Sequence, residues 1–134
     1  MTNIYPWQNE QWQRLMGMQQ QDRLPHAILL CGPEGIGLKQ FAQSAAMQLL
    51  CLSKQAETNN ACGNCQSCQL YHAGNHPDLN LLEPEETGKQ LKIAQVRELI
   101  EYVALKSFSG KQKIAIIEPA DAMNRATANA LLKT

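Results

Sequence analysis

The chain has 134 residues, 44% of them hydrophobic and 18% charged, enough to bury one domain-sized core. Twelve basic residues balance 12 acidic ones, so no net field draws it toward nucleic acid or a membrane surface. No apolar run reaches the roughly 18 residues of a membrane span, and no cleavable leader is evident, so a cytoplasmic protein with no membrane partner is expected.

The segment "NEQWQRLMGMQQQ" sets Trp12, Leu15 and Met16 at helical spacing behind a plausible cap at Asn9, which predicts a helix from about Asn9 to Gln21. Beyond Pro25, "AILLC" reads as a short strand of the type buried on both faces of a parallel sheet, with Cys31 a core residue at its end. A glycine loop follows. Phe41, Ala45, Leu49 and Leu52 then line one side of a second helix, and residues 53–61 are polar and irregular.

"HPDLNLLEPE" carries a strand over about Asp78 to Leu82, closed by a turn at "TGK". "IAQVRELIEYVAL" is an amphipathic helix with Ile93, Val96, Ile100 and Val103 on one face. After a turn at "SGK", "KIAIIE" is again a buried-type strand, and "NRATANALLKT" starts a last helix at Asn124. Helices alternating with strands imply a three-layer α/β domain with a mainly parallel sheet. A natural domain seldom stops inside a helix, as this chain does at Thr134, so a fragment of a longer protein is expected. Between Lys89 and Lys113, Lys89, Lys92, Arg97, Lys106, Lys111 and Lys113 face only Glu98 and Glu101. A solvated helix face accounts for that excess about as well as DNA does.

The loop "GPEGIGLKQ" approaches the phosphate-binding form G-x-x-x-x-G-K-[ST], in which backbone N–H groups cradle phosphates, the lysine reaches the outer ones and the hydroxyl holds magnesium. Gly32, Gly35 and Gly37 stand where such a backbone needs them. The lysine position, however, is Leu38, and the hydroxyl position is Lys39. One step along a helix turns a side chain by roughly 100°, so Lys39 does not simply replace the missing lysine. A working site also needs a later buried strand ending in Asp-Glu, and here the strand ends in Glu118-Pro119. The frame is present and the reacting groups are not.

Five cysteines in a reducing compartment read as metal ligands or free thiols rather than disulfides. Cys51, Cys62, Cys65 and Cys68 are spaced C-x10-C-x2-C-x2-C, which suits a closed tetrahedral zinc site of structural type. Gly63 leaves room for the first knuckle to turn. An iron–sulfur cluster lacks its usual flanking Cys-Pro run, and a redox C-x-x-C pair would leave two cysteines in register without a role. His72 or His76 could instead supply the fourth ligand, leaving Cys51 a buried thiol.

The degenerate loop, the four-cysteine module, "AGNHPDL" and "IEPADAMNRATANALLKT" together resemble the clamp-loader subunits of bacterial DNA polymerase III, over nearly the whole chain. The motor subunits of that family, tau and gamma, carry an intact loop and Asp-Glu. The delta-prime branch joins the same zinc module to a ruined nucleotide site, and the chain resembles that branch.

The resemblance implies an AAA+ domain, P-loop NTPase-like, spanning 1–134 and incomplete at its C-terminus, with the zinc insertion at about 51–70. It implies a non-hydrolysing subunit of the replicative polymerase holoenzyme, acting with tau/gamma and delta to place the sliding clamp on primer–template DNA. Gly32, Gly35, Gly37, Lys39 and Glu118 would mark a relic nucleotide site without a functional ATP. The arginine finger of the family, in a Ser-Arg-Cys motif, would lie beyond Thr134. A motor ATPase, or a stand-alone zinc-dependent nucleic-acid binder, are the alternatives.

Overall fold

The structure, a computed structural model, describes residues 4–25, 27–33, 35–52, 61–86, 88–107, 112–119 and 122–132. Most of the polar stretch at 53–61, the turn at 109–111 and Lys111 lie outside the described residues. The chain divides into two units, Met1–Asn75 and His76–Thr134.

In the first unit a 3-10 turn at Pro6–Gln8 runs directly into helix α1, Asn9–Gln20. The cap is therefore Gln8 rather than Asn9. Trp12, Leu15 and Met16 are buried, as their spacing predicts, and meet Phe41 and Ala45 from helix α2, Leu38–Leu50. Trp12 and Phe41 pack edge to face at 5.7 Å and 88°. Helix α2 stops two residues short of the end of the expected apolar stripe. Cys51 turns to extended backbone at ψ 134°, and Leu52 is left 44% exposed. A short helix α3, Gln66–His72, begins directly after Cys65 and contains Cys68.

Residues 27–31 depart furthest from expectation. They form no strand; Ile28 is 47% and Leu29 72% exposed, and Cys31 is exposed rather than in the core. Leu30 alone of this run packs, against the Trp12–Phe41 cluster. An apolar run becomes a strand only where a neighbour takes up its backbone N–H and C=O groups. Among the described residues of this unit there is no strand to do so. Composition specifies apolarity; it does not supply the partner.

The second unit contains strand β1, Leu79–Leu82, helix α4, Ile93–Ala104, strand β2, Ile114–Ile117, and helix α5, Arg125–Leu132. The strands pair in parallel, Leu79 opposite Ile114 and Leu82 opposite Ile117. Parallel pairing needs a crossover, which α4 provides. Val96 and Leu99 are its most buried residues, whereas Ile93 is 40% exposed, so the buried stripe is rotated from the expected face. It closes on Leu82, Leu91 and Ala122, with Ile100, Val103, Ala115 and Ile117 partly buried around them.

Gln95 fixes the start of α4 by accepting from the Lys92 N–H (2.9 Å) and donating to the Glu83 carbonyl (2.8 Å). Asn124 caps α5 where expected, its Oδ1 accepting from the Thr127 N–H at 2.9 Å. These residues make a mixed α/β architecture with a small parallel sheet. Among the described residues no helix is long and apolar enough to cross a membrane.

Candidate functional site

The four cysteines come together because three short pieces of backbone aim them inward. Cys51 ends α2 just where the chain leaves helical geometry. Gly63, at φ +78°, makes the left-handed turn that brings Cys62 and Cys65 to the same side. Cys65 then caps α3, its Sγ accepting from the Cys68 N–H at 3.5 Å, and Cys68 sits on that helix's first turn.

All four Sγ atoms lie within 4.8 Å of one another, with Cys51–Cys65 at 3.9 Å and Cys62–Cys68 at 4.0 Å. A tetrahedron with metal–sulfur bonds of about 2.3 Å has sulfur–sulfur edges of about 3.8 Å, so the set is close to the size a tetrahedral ion needs. Met47, Ala61 and Tyr71 pack around it. This arrangement is able to hold a metal ion through four protein ligands.

Backbone donors surround the sulfurs. Cys62 Sγ accepts from the N–H of Asn64 (3.4 Å) and of Cys65 (3.2 Å), Cys51 Sγ from that of Cys62 (3.4 Å), and Cys65 Sγ also from that of Leu52 (3.5 Å). Such bonds favour thiolate, the form that binds metal. The Asn64 and Cys65 amides lower the Cys62 thiol below its ordinary value. Burial opposes ionisation of Cys65, but the Cys68 and Leu52 amides, together with the Cys68 and Cys62 thiols, outweigh it and bring the Cys65 thiol to about 6. Cys68, buried deepest of the three, is pushed up to about 12 by desolvation.

The histidines stand differently. His72 is exposed, its ring edge-on to Tyr71, and the Nδ1 of buried His76 accepts from the Asp78 N–H at 3.1 Å. Among the described residues the clustered ligand set is the four cysteines.

The glycine loop leads straight into α2, with Gly37 as its N-cap at φ +82° and Gly35 at φ +86°. Leu38 and Lys39 are the first two helical residues, Leu38 half-buried and Lys39 exposed. A Cβ on Gly32 would come within 2.4 Å of the Ile36 Cδ1. Glu118 follows β2 in the other unit, half-buried, its N–H bonded to the Leu82 carbonyl at 3.0 Å.

One set of contacts has no counterpart in the motif reading. Tyr5, Trp7 and Gln8 lie against this loop, and their only sequence signal is an aromatic-proline run, "YPWQ", ahead of the first helix. In the basic stretch, Lys92 pairs with Glu85, and Lys113 lies 3.9 Å from the centre of the Tyr102 ring. Part of that charge is thus engaged within the molecule.

The family model described as DNA polymerase III, delta subunit, matches residues 7–134. A Pseudomonas aeruginosa protein named DNA polymerase III subunit delta' is 47% identical over 134 residues, all of this chain and 39% of that protein. The protein of the same name from Escherichia coli is 35% identical over 97% of this chain and 38% of its own length. A Haemophilus influenzae DNA polymerase III subunit tau/gamma is 33% identical over 84% of this chain, but over only 16% of its own. The chain spans about two fifths of the length of the delta' proteins it matches. On this match, the chain belongs to the DNA polymerase III delta subunit family.

Proposed function

We propose that the chain is part of a clamp-loader subunit of the replicative DNA polymerase III that holds its place in the assembly without hydrolysing ATP. One observation carries this reading. The helix behind the glycine loop begins Leu38-Lys39, so the lysine and hydroxyl positions hold an aliphatic group and an exposed amine. No side chain is then available at the right turn of the helix to neutralise an outer phosphate or hold magnesium. Glu118-Pro119 leaves the second half of the site equally poor, since proline cannot orient an attacking water. Gly32, Gly35 and Gly37 keep the turn, while Lys39 and Glu118 are relics.

On this proposal the motor subunits tau/gamma, together with delta, are its partners, and the sliding clamp and primer–template DNA are reached through them. The names of the relatives support it, with delta' proteins matching the chain over more of its length than the tau/gamma protein does. The domain is read as AAA+ over 1–134, with a structural zinc module at about 51–70. The residues fit that ion: four sulfurs near tetrahedral size, each of soft-ligand type, with amide donors already turned toward them. Zinc would tie the end of α2 to the start of α3, and carry no chemistry.

The test is turnover. Purified chain with magnesium and ATP should release no phosphate above background, and should be required, as the whole subunit, for clamp loading by the reconstituted complex. Brisk magnesium-dependent hydrolysis by the chain alone would make it a motor instead.

A further inference from the structure

Three residues ahead of the first helix, Tyr5, Trp7 and Gln8, hold the glycine loop from outside. The Ile36 carbonyl accepts from Trp7 Nε1 (3.0 Å) and from Gln8 Nε2 (2.8 Å). The Gly37 carbonyl accepts from Gln8 Nε2 (3.0 Å) and, as the first helical acceptor, from the Phe41 N–H (2.9 Å). A carbonyl oxygen has two lone pairs, so both oxygens are saturated. Gln8 is itself fixed, 6% exposed, with its Oε1 accepting from the Tyr5 N–H at 3.0 Å.

The aromatic rings complete the contact. Tyr5 and Trp7 stack at 4.6 Å and 5°, and Tyr5 Cε2 would lie 2.5 Å from a Cβ on Gly37. The ring therefore lies directly against the loop backbone. Peptide planarity extends the effect: fixing the Ile36 and Gly37 carbonyls also fixes the Gly37 and Leu38 N–H groups on the opposite edges of the same planes. In a working phosphate loop, ligand phosphates help to hold such groups in place.

We propose that Tyr5–Gln8 is a built-in clasp that locks the glycine loop in one conformation, taking over with side chains the ordering role that a nucleotide has elsewhere. The loop is then rigid whether or not nucleotide is present. The inference rests on these contacts and not on the clamp-loader reading, and its test can fail while that reading stands.

The experiment is backbone ¹⁵N relaxation on the wild type, Gln8→Ala and Trp7→Phe. In the wild type, Ile36 and Gly37 should show order parameters near ~0.85, falling below ~0.6 in Gln8→Ala. Trp7→Phe, which keeps a ring to stack but removes the indole N–H, should fall between them. Should Gln8→Ala fail to fold, Trp7→Phe decides alone, with an unchanged loop counting against the clasp. A mobile loop in the wild type, an unchanged loop in folded Gln8→Ala, or chemical-shift changes at Ile36–Leu38 on adding millimolar Mg–ADP to the wild type would each overturn the proposal.

Discussion

The cysteine centre and the glycine loop lie in the same unit, and both are built on glycines with positive φ: Gly63 in one, Gly35 and Gly37 in the other. They differ in what the backbone presents. In the first, four side chains converge within 4.8 Å, and amide donors support the charge they would carry. In the second, the turn and the helix start are in place, Leu38 and Lys39 stand at the motif's lysine and hydroxyl positions, and the molecule's own Gln8 and Trp7 occupy the loop carbonyls. A turn needs only backbone freedom at a few positions. Chemistry needs particular atoms at a point, and a substitution at either of two positions suffices to remove it.

The largest effect should come from breaking the convergent site. Cys65→Ser removes one of the four clustered sulfurs, the cap of α3 and the acceptor for the Leu52 and Cys68 amides together. Zinc should fall from about one per chain to trace levels by elemental analysis. Amide exchange should rise over 61–72, while the Trp12–Phe41 cluster and the β1–β2 pair stay protected. Stoichiometric iron with visible absorbance in the wild type would replace zinc in this account.

A smaller loss should follow a methyl added to the loop. Gly37→Ala puts a Cβ into the left-handed region and into the Tyr5 ring, and should destabilise by about 3 kcal/mol in denaturant titration. Gly35→Ala meets nothing within 4 Å and should cost about 1 kcal/mol, the backbone term alone. Equal losses would mean that the Tyr5 contact contributes nothing.

Thiol labelling should sharpen the comparison further without changing the fold. With metal bound, alkylation should reach exposed Cys31 and spare the other four. In the stripped chain Cys65, ionised at neutral pH, should react well before Cys68, which stays a buried thiol. The Cys65 rate should fall as pH drops through about 6, where its thiolate is lost. The reverse order of labelling would mean that the amides do not act as described.

The smallest effect is expected from repair of the loop. Leu38→Lys with Lys39→Thr restores "GPEGIGKT", yet binding of a fluorescent nucleotide should be weak at best and turnover undetectable. Glu118-Pro119 still lacks the second set of groups, and an arginine supplied by a neighbour can alone contribute ~10³–10⁵ in rate. Measurable turnover by this double variant would show that two side chains were the whole defect.

Helices were readable because apolar periodicity is a local property: α1 and α4 fall within a residue or two of the expected bounds. The strands at Leu79–Leu82 and Ile114–Ile117 were legible from short apolar runs between turn signals. The same local signals fail at 27–31, which form no strand, and at the end of α2, where Leu52 is exposed rather than on the buried face. The seven residues of α3 carry too little periodicity to be legible.

By itself the sequence determined which residues stand at the loop's lysine and hydroxyl positions and which cysteines are available to converge. Leu38, Lys39 and Glu118-Pro119 are identities that no fold can alter, and four cysteines at knuckle spacing are a local geometric statement. The tertiary structure decided which groups meet. It brought Cys51 to the other three cysteines, left His72 exposed with His76 bonded to the Asp78 amide, and set Tyr5, Trp7 and Gln8 against a loop some 28 residues further along the chain. The physical reason is range. Turn and helix signals act over a few residues, whereas a hydrogen bond or a metal site depends on atoms that only the packed chain brings within about 3–4 Å.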